Sequence, residues 1–151
     1  MKLIALLPID RALEGTIRLL AEDNTELGRW PCRGKADSTK AMQNHNPRRD
    51  PALPYGDTPS GEYLPAKVAH LDPPHETLGG LIIPLEGCAG DALMAHQNGR
   101  TGLAIHANRG NDRLVATHGC LRMYDRDLAR LAELLDTSKA SIEILDLGGG
   151  Q

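Results

Sequence analysis

The chain contains no phenylalanine, one tryptophan and three tyrosines in 151 residues, so any core it builds is aliphatic. It also lacks a run approaching the roughly 20 apolar residues that a membrane-crossing helix requires, and no membrane partner is expected. Lys and Arg are never gathered into a long basic run, and the formal net charge is -3. Sequence-independent binding to a phosphate backbone needs clustered cations, which removes nucleic acid as an expected partner. Cysteine is scarce: Cys32, Cys88 and Cys120 are odd in number and far apart, so no disulfide framework is indicated. A single Cys32–Cys88 bridge stays open for an oxidising compartment. Gly28 to Gly34-Lys35 approaches a phosphate-binding loop but has five intervening residues in place of four and continues into Ala36 where a hydroxyl is needed.

What is present is turn-rich and strand-rich. Gly 16 and Pro 10 imply many turns. A chain this long buries roughly 70% of the surface its unfolded form exposes, enough for one ordinary core, and residues 1–151 are read as one domain. The opening MKLIALLPID carries a single Lys and no small-residue cleavage site, so it reads as a strand and not as a secretory leader. Thr16 to Ala21 and Glu26 to Cys32 are β-favouring stretches around the turn residues Glu22-Asp23-Asn24-Thr25, a hairpin. Ala36 to Pro59 is broken by four prolines and reads as a long loop, of the kind that usually carries function. Gly61 to His70 and Gly79 to Pro84 read as strands, Asp91 to His96 as a turn or two of helix, and Gly102 to Ile105 as a short strand delivering His106 at its end. Leu128, Leu131, Ala132 and Leu135 recur at helical spacing, predicting a helix over Asp125 to Leu135 with Asp125 as its cap. Ser141 to Leu147 closes the chain as a last strand.

The chemistry concentrates at Thr117-His118-Gly119-Cys120-Leu121-Arg122-Met123, with His106 fourteen residues before the cysteine. A thiol attacks well only as thiolate, and at a reference pKa of about 8.5 little of it ionises near neutrality, so an imidazole base matters. His106 is the candidate base and Cys120 the candidate nucleophile. If the cysteine sits near the entrance of the Asp125 helix, the backbone N–H groups of Gly119 and Cys120 can form an oxyanion hole, each donor worth roughly 3 kcal/mol in acyl transfer. A cysteine without such company is usually a small buried hydrophobe, the reading that suits Cys32 and Cys88. His45, His70, His75 and His96 read as surface or loop residues.

The order Gly56-Asp57-Thr58-Pro59-Ser60-Gly61-Glu62-Tyr63, then Ala104-Ile105-His106, then THGCLRM and an Asp-initiated helix, resembles the YkuD-type L,D-transpeptidase catalytic domain over roughly Gly28 to Leu135. The family pattern is a strand-end His, a spacer, then Ser or Thr before His-Gly-Cys, an apolar residue and Arg or Asn. The resemblance implies a mainly β (α+β) fold, a sandwich of mixed sheets with one helix packed after the catalytic cysteine. It implies an enzyme without cofactor that cuts the peptidoglycan stem after the L-centre of its third residue through a Cys120 thioester. The acyl group then passes to a stem amine, a free D-amino acid or water. His106, oriented by a backbone carbonyl, would move the proton, with His118, Arg122, Thr117 and Tyr63 in the substrate-binding set. Ten residues, 107–116, separate His106 from Thr117, a short spacer for the family, with Ala107 where glycine often stands.

The resemblance places action in the periplasm or cell wall, on peptidoglycan stem peptides. With no leader read in the chain, non-classical secretion as an antibacterial effector is the accompanying expectation, with a secretion apparatus and an immunity protein as its partners. Two alternatives stand beside it. His106, His118 and Cys120 are residue types that bind zinc, but they come without Cys-x-x-Cys or His-Glu-x-x-His and without an obvious fourth provider, so no metal is expected. A non-catalytic peptidoglycan-binding module would have no need of both His106 and Cys120.

Overall fold

The computed structural model describes residues 1–75, 78–107, 114, 117 and 119–147. Among these, strands β1 (Lys2–Pro8), β2 (Gly15–Leu20), β3 (Glu26–Cys32), β4 (Gly61–Pro65), β5 (Ala69–His75), β6 (Gly79–Ala89), β7 (Ala104–His106), β8 (Leu121–Arg122) and β9 (Ser141–Leu147) form one sheet. Its order is β3-β2-β1-β9-β4-β6-β7-β8, with β5 paired to β6 off this path. β1 with β9 and β7 with β8 run parallel, and the other pairs are antiparallel. The mainly β, mixed-sheet class stands, and the inner layer on each side comes from one sheet curling on itself.

Strand alternation explains the core. Successive side chains on a strand point to opposite faces, and in β1 this sends Leu3, Ala5 and Leu7 inward, fully buried. Ile17 and Leu19 of β2 and Ile142 and Ile144 of β9 join them, and Ile83, Ile105 and Leu121 reach the same cluster from the other half of the sheet. The hairpin of β2 and β3 turns as its sequence predicts: the Ala21 N–H donates to the Thr25 carbonyl at 2.8 Å, with Asn24 at φ 66.

Three helices are described. α1 (Ser38–Gln43) lies inside the stretch read as loop, and Asp37 caps it by accepting from the Lys40 N–H at 2.8 Å. α2 (Gly90–Gln97) covers the stretch left between one and two turns and ends at Asn98 and Gly99, the latter at φ +85. α3 (Asp125–Leu134) is the predicted helix, with Leu128 and Leu131 buried against the sheet. Its cap differs from expectation. Tyr124 occupies the N-cap without a side-chain bond, which moves Asp125 into the first turn beside Asp127, where a carboxylate favours the helix dipole.

The outer strands of the sheet are β3 and β8, and the chain just past β3 returns to join them. Arg33 and Arg122 exchange both backbone hydrogen bonds, at 3.0 and 2.9 Å. Further along, the Thr117 N–H donates to the Lys35 carbonyl at 3.1 Å and the Asp37 N–H to the Thr117 carbonyl at 2.7 Å. Two edges that would otherwise carry unpaired backbone groups thus satisfy one another, at the turn that carries Cys120.

Leu131→Ala empties a fully buried site, and urea unfolding is expected to show a loss of about 2–5 kcal/mol. Arg130→Ala, one residue away with its side chain 59% exposed in a surface pair with Glu133, is expected to stay within about 0.5 kcal/mol.

Candidate active site

Cys120 precedes β8 by one residue and His106 ends β7. Ile105 is registered against Leu121 and His106 against Arg122 in the parallel pair. Continuing that register back by one residue sets Cys120 level with Ala104. Since Ile105 and Leu121 point into the core, Ala104, His106, Cys120 and Arg122 share the other face. Nucleophile and base candidates therefore meet on one face of two adjacent strands. The cysteine enters a strand and not the helix: β8 and two further residues separate it from α3, so it does not sit at the helix entrance as the sequence reading supposed.

The turn itself is tied on every side. Gly119 adopts φ +112, open to glycine and strained for any other residue. A Cβ there would run into the Gly56 carbonyl oxygen and the Arg100 guanidinium. The Gly119 carbonyl accepts from Thr58 Oγ1 at 2.7 Å and from Arg100 Nη2 at 3.4 Å. Thr117 Oγ1 accepts from the Gly119 N–H at 2.8 Å and donates to the Cys120 carbonyl at 2.9 Å.

Those bonds correct two sequence readings. The Gly119 N–H is already engaged by Thr117 and is not a donor waiting for an oxyanion. Among the described residues the Cys120 N–H has no acceptor, leaving it as the remaining donor of the two. Thr117, expected to bind substrate, is buried and spends its hydroxyl on the turn. Tyr63 is corrected as well: it is 1% exposed, with its hydroxyl donating to the Pro59 carbonyl at 2.6 Å, so it packs the core below the site instead of lining a cleft. Burial pushes its phenol well above the usual range.

His106 is 3% exposed, and its Nδ1 lies 2.8 Å from the Ala107 carbonyl oxygen. A carbonyl only accepts, so Nδ1 carries a proton toward it, and in the neutral ring Nε2 is the nitrogen with the lone pair. That is the tautomer a base needs. The Cys120 thiol is half-buried, with Sγ 3.7 Å from the Gly102 carbonyl. Burial pushes its pKa up, and the Ala104 N–H, Arg100 and Arg122 pull it back only in part. The net effect favours the thiol over the thiolate, so a nucleophile at this position would need a base.

Arg122 is buried beside the thiol, and burial depresses its pKa against the opposing pull of Cys120 and Asp125. His118 lies outside the described residues, and with it one member of the alternative zinc set. Among the described residues no group of three or more His, Cys, Asp or Glu is disposed to hold a metal ion. Cys32 and Cys88 are free thiols, Cys32 buried and pushed up to about 12 by desolvation, Cys88 exposed. His45, His70 and His96 are exposed, as read.

Sequence reasoning missed three polar residues beneath the turn. Arg100, Thr58 and Asp57 are all buried. Asp57 Oδ1 accepts from the Ala36 N–H at 2.8 Å and faces Arg49 at 3.5 Å, while desolvation still raises its pKa. Arg11 reaches the Thr58 carbonyl at 3.2 Å and pairs with Asp146 at 2.5 Å. Thr58 and Asp57 stand in the Gly-Asp-Thr-Pro-Ser-Gly segment, whose turn-like composition was the available signal. Nothing local marks Arg100 as buried.

The family model for the YkuD L,D-transpeptidase catalytic domain matches residues 17–144. The chain belongs to the YkuD family. Two solved structures share the fold of this YkuD domain. One is Bd1075 from Bdellovibrio bacteriovorus, at TM-score 0.61 and 15% identity, covering 95% of this chain and 47% of that one. The other is Pgp2 from Campylobacter jejuni, a helical cell shape determining protein, at TM-score 0.62 and 14% identity, with 95% and 47% covered. The chain thus spans about half the length of each. No curated protein sequence matches it.

The burial of the three thiols sets an order of reactivity. Iodoacetamide labelling followed by peptide mass spectrometry is expected to modify Cys88 first and Cys32 only after unfolding. Cys120 labelling is expected to keep rising past pH 9, because the thiolate that reacts is formed above the ordinary thiol range. A plateau at neutral pH would instead reveal a standing thiolate–imidazolium pair.

Proposed function

We propose that this YkuD domain is a peptidoglycan L,D-transpeptidase that acts through a Cys120 thioester, with His106 as its general base. The observation that carries the reading is the bond from His106 Nδ1 to the Ala107 carbonyl, which in the neutral ring leaves the lone pair on Nε2, on a strand that pairs with the one directly after Cys120. The domain's family supports the substrate class, and the protonated resting thiol explains why a base is required at all.

The chemistry follows from these groups. His106 Nε2 takes the thiol proton as Cys120 Sγ attacks the carbonyl of the L-centre of the stem's third residue. The tetrahedral oxygen gains negative charge, and the Cys120 N–H is the donor left to receive it. The imidazolium returns the proton to the departing D-alanine nitrogen, the C–N bond breaks, and a thioester remains. A second amine or a water then attacks the thioester with the same histidine as base, releasing the thiol. The amine of another stem gives a cross-link, a free D-amino acid gives exchange, and water gives a tripeptide. The site of action is where peptidoglycan lies, the periplasm or cell wall.

Incubation with a tetrapeptide stem, followed by mass spectrometry, is expected to show loss or exchange of the terminal D-alanine. Cys120→Ala should abolish product, and His106→Gln should lower turnover by about 10²–10⁴-fold while leaving the fold intact. A folded wild-type protein that binds the stem but yields neither product nor adduct would sink the enzymatic reading and favour a peptidoglycan-binding module.

A further inference from the structure

Arg100 holds a position that the chemistry above does not use. It follows α2 and is 4% exposed, yet among the described residues no carboxylate lies within ion-pair distance of its guanidinium. Every hydrogen bond it makes goes to a main-chain carbonyl: Pro51 at 2.5 Å, Gly56 at 2.6 Å, Asp57 at 2.7 Å and Gly119 at 3.4 Å. Burying a cation is costly unless an opposite charge compensates it. Carbonyl dipoles, with Asp57 and Asp50 beyond ion-pair distance, compensate this cation in part behind the Cys120 turn. The approach is close enough that only a glycine fits at 119, since a Cβ would stand where Nη2 does.

We infer that Arg100 is a positioning residue for Cys120: its planar fork clamps the 51–57 loop to the Gly119 carbonyl and fixes a buried cation beside the sulfur. This rests on the reading of Cys120 as the nucleophile. The same cation gains a further opposite charge when the proton leaves the thiol, so it favours the thiolate as attack begins. Among the described residues, the titratable and charged groups that face the thiol are Arg100, Arg122 on β8 and the Tyr63 phenol on β4, with His106 on the adjoining strand. Those that face Arg100 are Tyr63, Cys120, Asp57 and Asp50. Arg100 is thus the cation shared between the loop and the nucleophile. Arg122 is fixed separately, through the bridge to Arg33.

A purely structural staple and a positioning cation predict different pH profiles. In the full chain, the midpoint of Cys120 labelling by iodoacetamide against pH is expected to rise by about one unit in Arg100→Met. Arg100→Lys, which keeps the charge but not the fork, should hold the midpoint near wild type and lower kcat on the stem peptide about tenfold with KM little changed. Thr58→Val removes the other side-chain bond to the Gly119 carbonyl without touching charge, and should leave the midpoint where it is. A folded Arg100→Met protein with an unshifted midpoint overturns the inference. If that variant does not fold, Arg100→Lys decides: wild-type kcat with a wild-type midpoint overturns it equally. Labelling needs no substrate, so a wild-type protein inactive on stem peptides would sink the catalytic reading while leaving the midpoint comparison to judge Arg100.

Discussion

The carbonyl of Gly119 is the point at which three distant segments of the chain meet. Thr58 reaches it from the loop before β4, Arg100 from the end of α2, and the glycine itself lies at the end of the spacer that follows β7. One peptide group so held cannot rotate without breaking bonds to both. Because Cys120 is the next residue, its orientation depends on partners that lie 19 and 61 residues from Gly119 in sequence. The glycine of the His-Gly-Cys motif then has a physical reason. Its φ of +112 and the nearness of Gly56 and Arg100 leave no room for a side chain.

The same turn is where the sheet closes. β3 and β8 are its two outer strands, and residues 33–37 bridge them through Arg33, Lys35 and Asp37. Closing a curled sheet satisfies edge groups that would otherwise face water or another chain. Here it also makes the reactive turn part of the closure, so a loss of site geometry and a loss of edge pairing go together. α1 is attached to this seam as well, because its capping residue Asp37 donates its own N–H to Thr117.

Electrostatics at the site oppose one another in an instructive way. Desolvation holds the thiol protonated, while Arg100, Arg122 and the Ala104 N–H pull toward thiolate and fall short. In the proposed mechanism such a site keeps its nucleophile masked until a base removes the proton, the role proposed for His106, whose Nδ1 is held by the Ala107 carbonyl. A fully formed thiolate would need no such arrangement.

Much of this was legible in the residues themselves. Alternation in Lys2–Pro8 and Ser141–Leu147, the turn chemistry between β2 and β3, and the helical spacing of Leu128 and Leu131 are local signals, and the strands and α3 follow them. The motif around Cys120 marks the family, and His106 stands at a strand end as its sequence predicts. What the sequence could not determine was which polar groups would be buried. Tyr63 and Thr117 have side chains that suit a binding site, and only packing turned them inward; Arg100 has a side chain that suits the surface, and only the 51–57 loop made its burial tolerable. Of the two expected oxyanion donors only the Gly119 N–H is engaged among the described residues, for the same reason, since its availability depends on where the Thr117 hydroxyl points. Local pattern specifies elements and reactive residue types. Burial and hydrogen-bond partnership are set by contacts between segments far apart in the chain, and those belong to the tertiary structure alone.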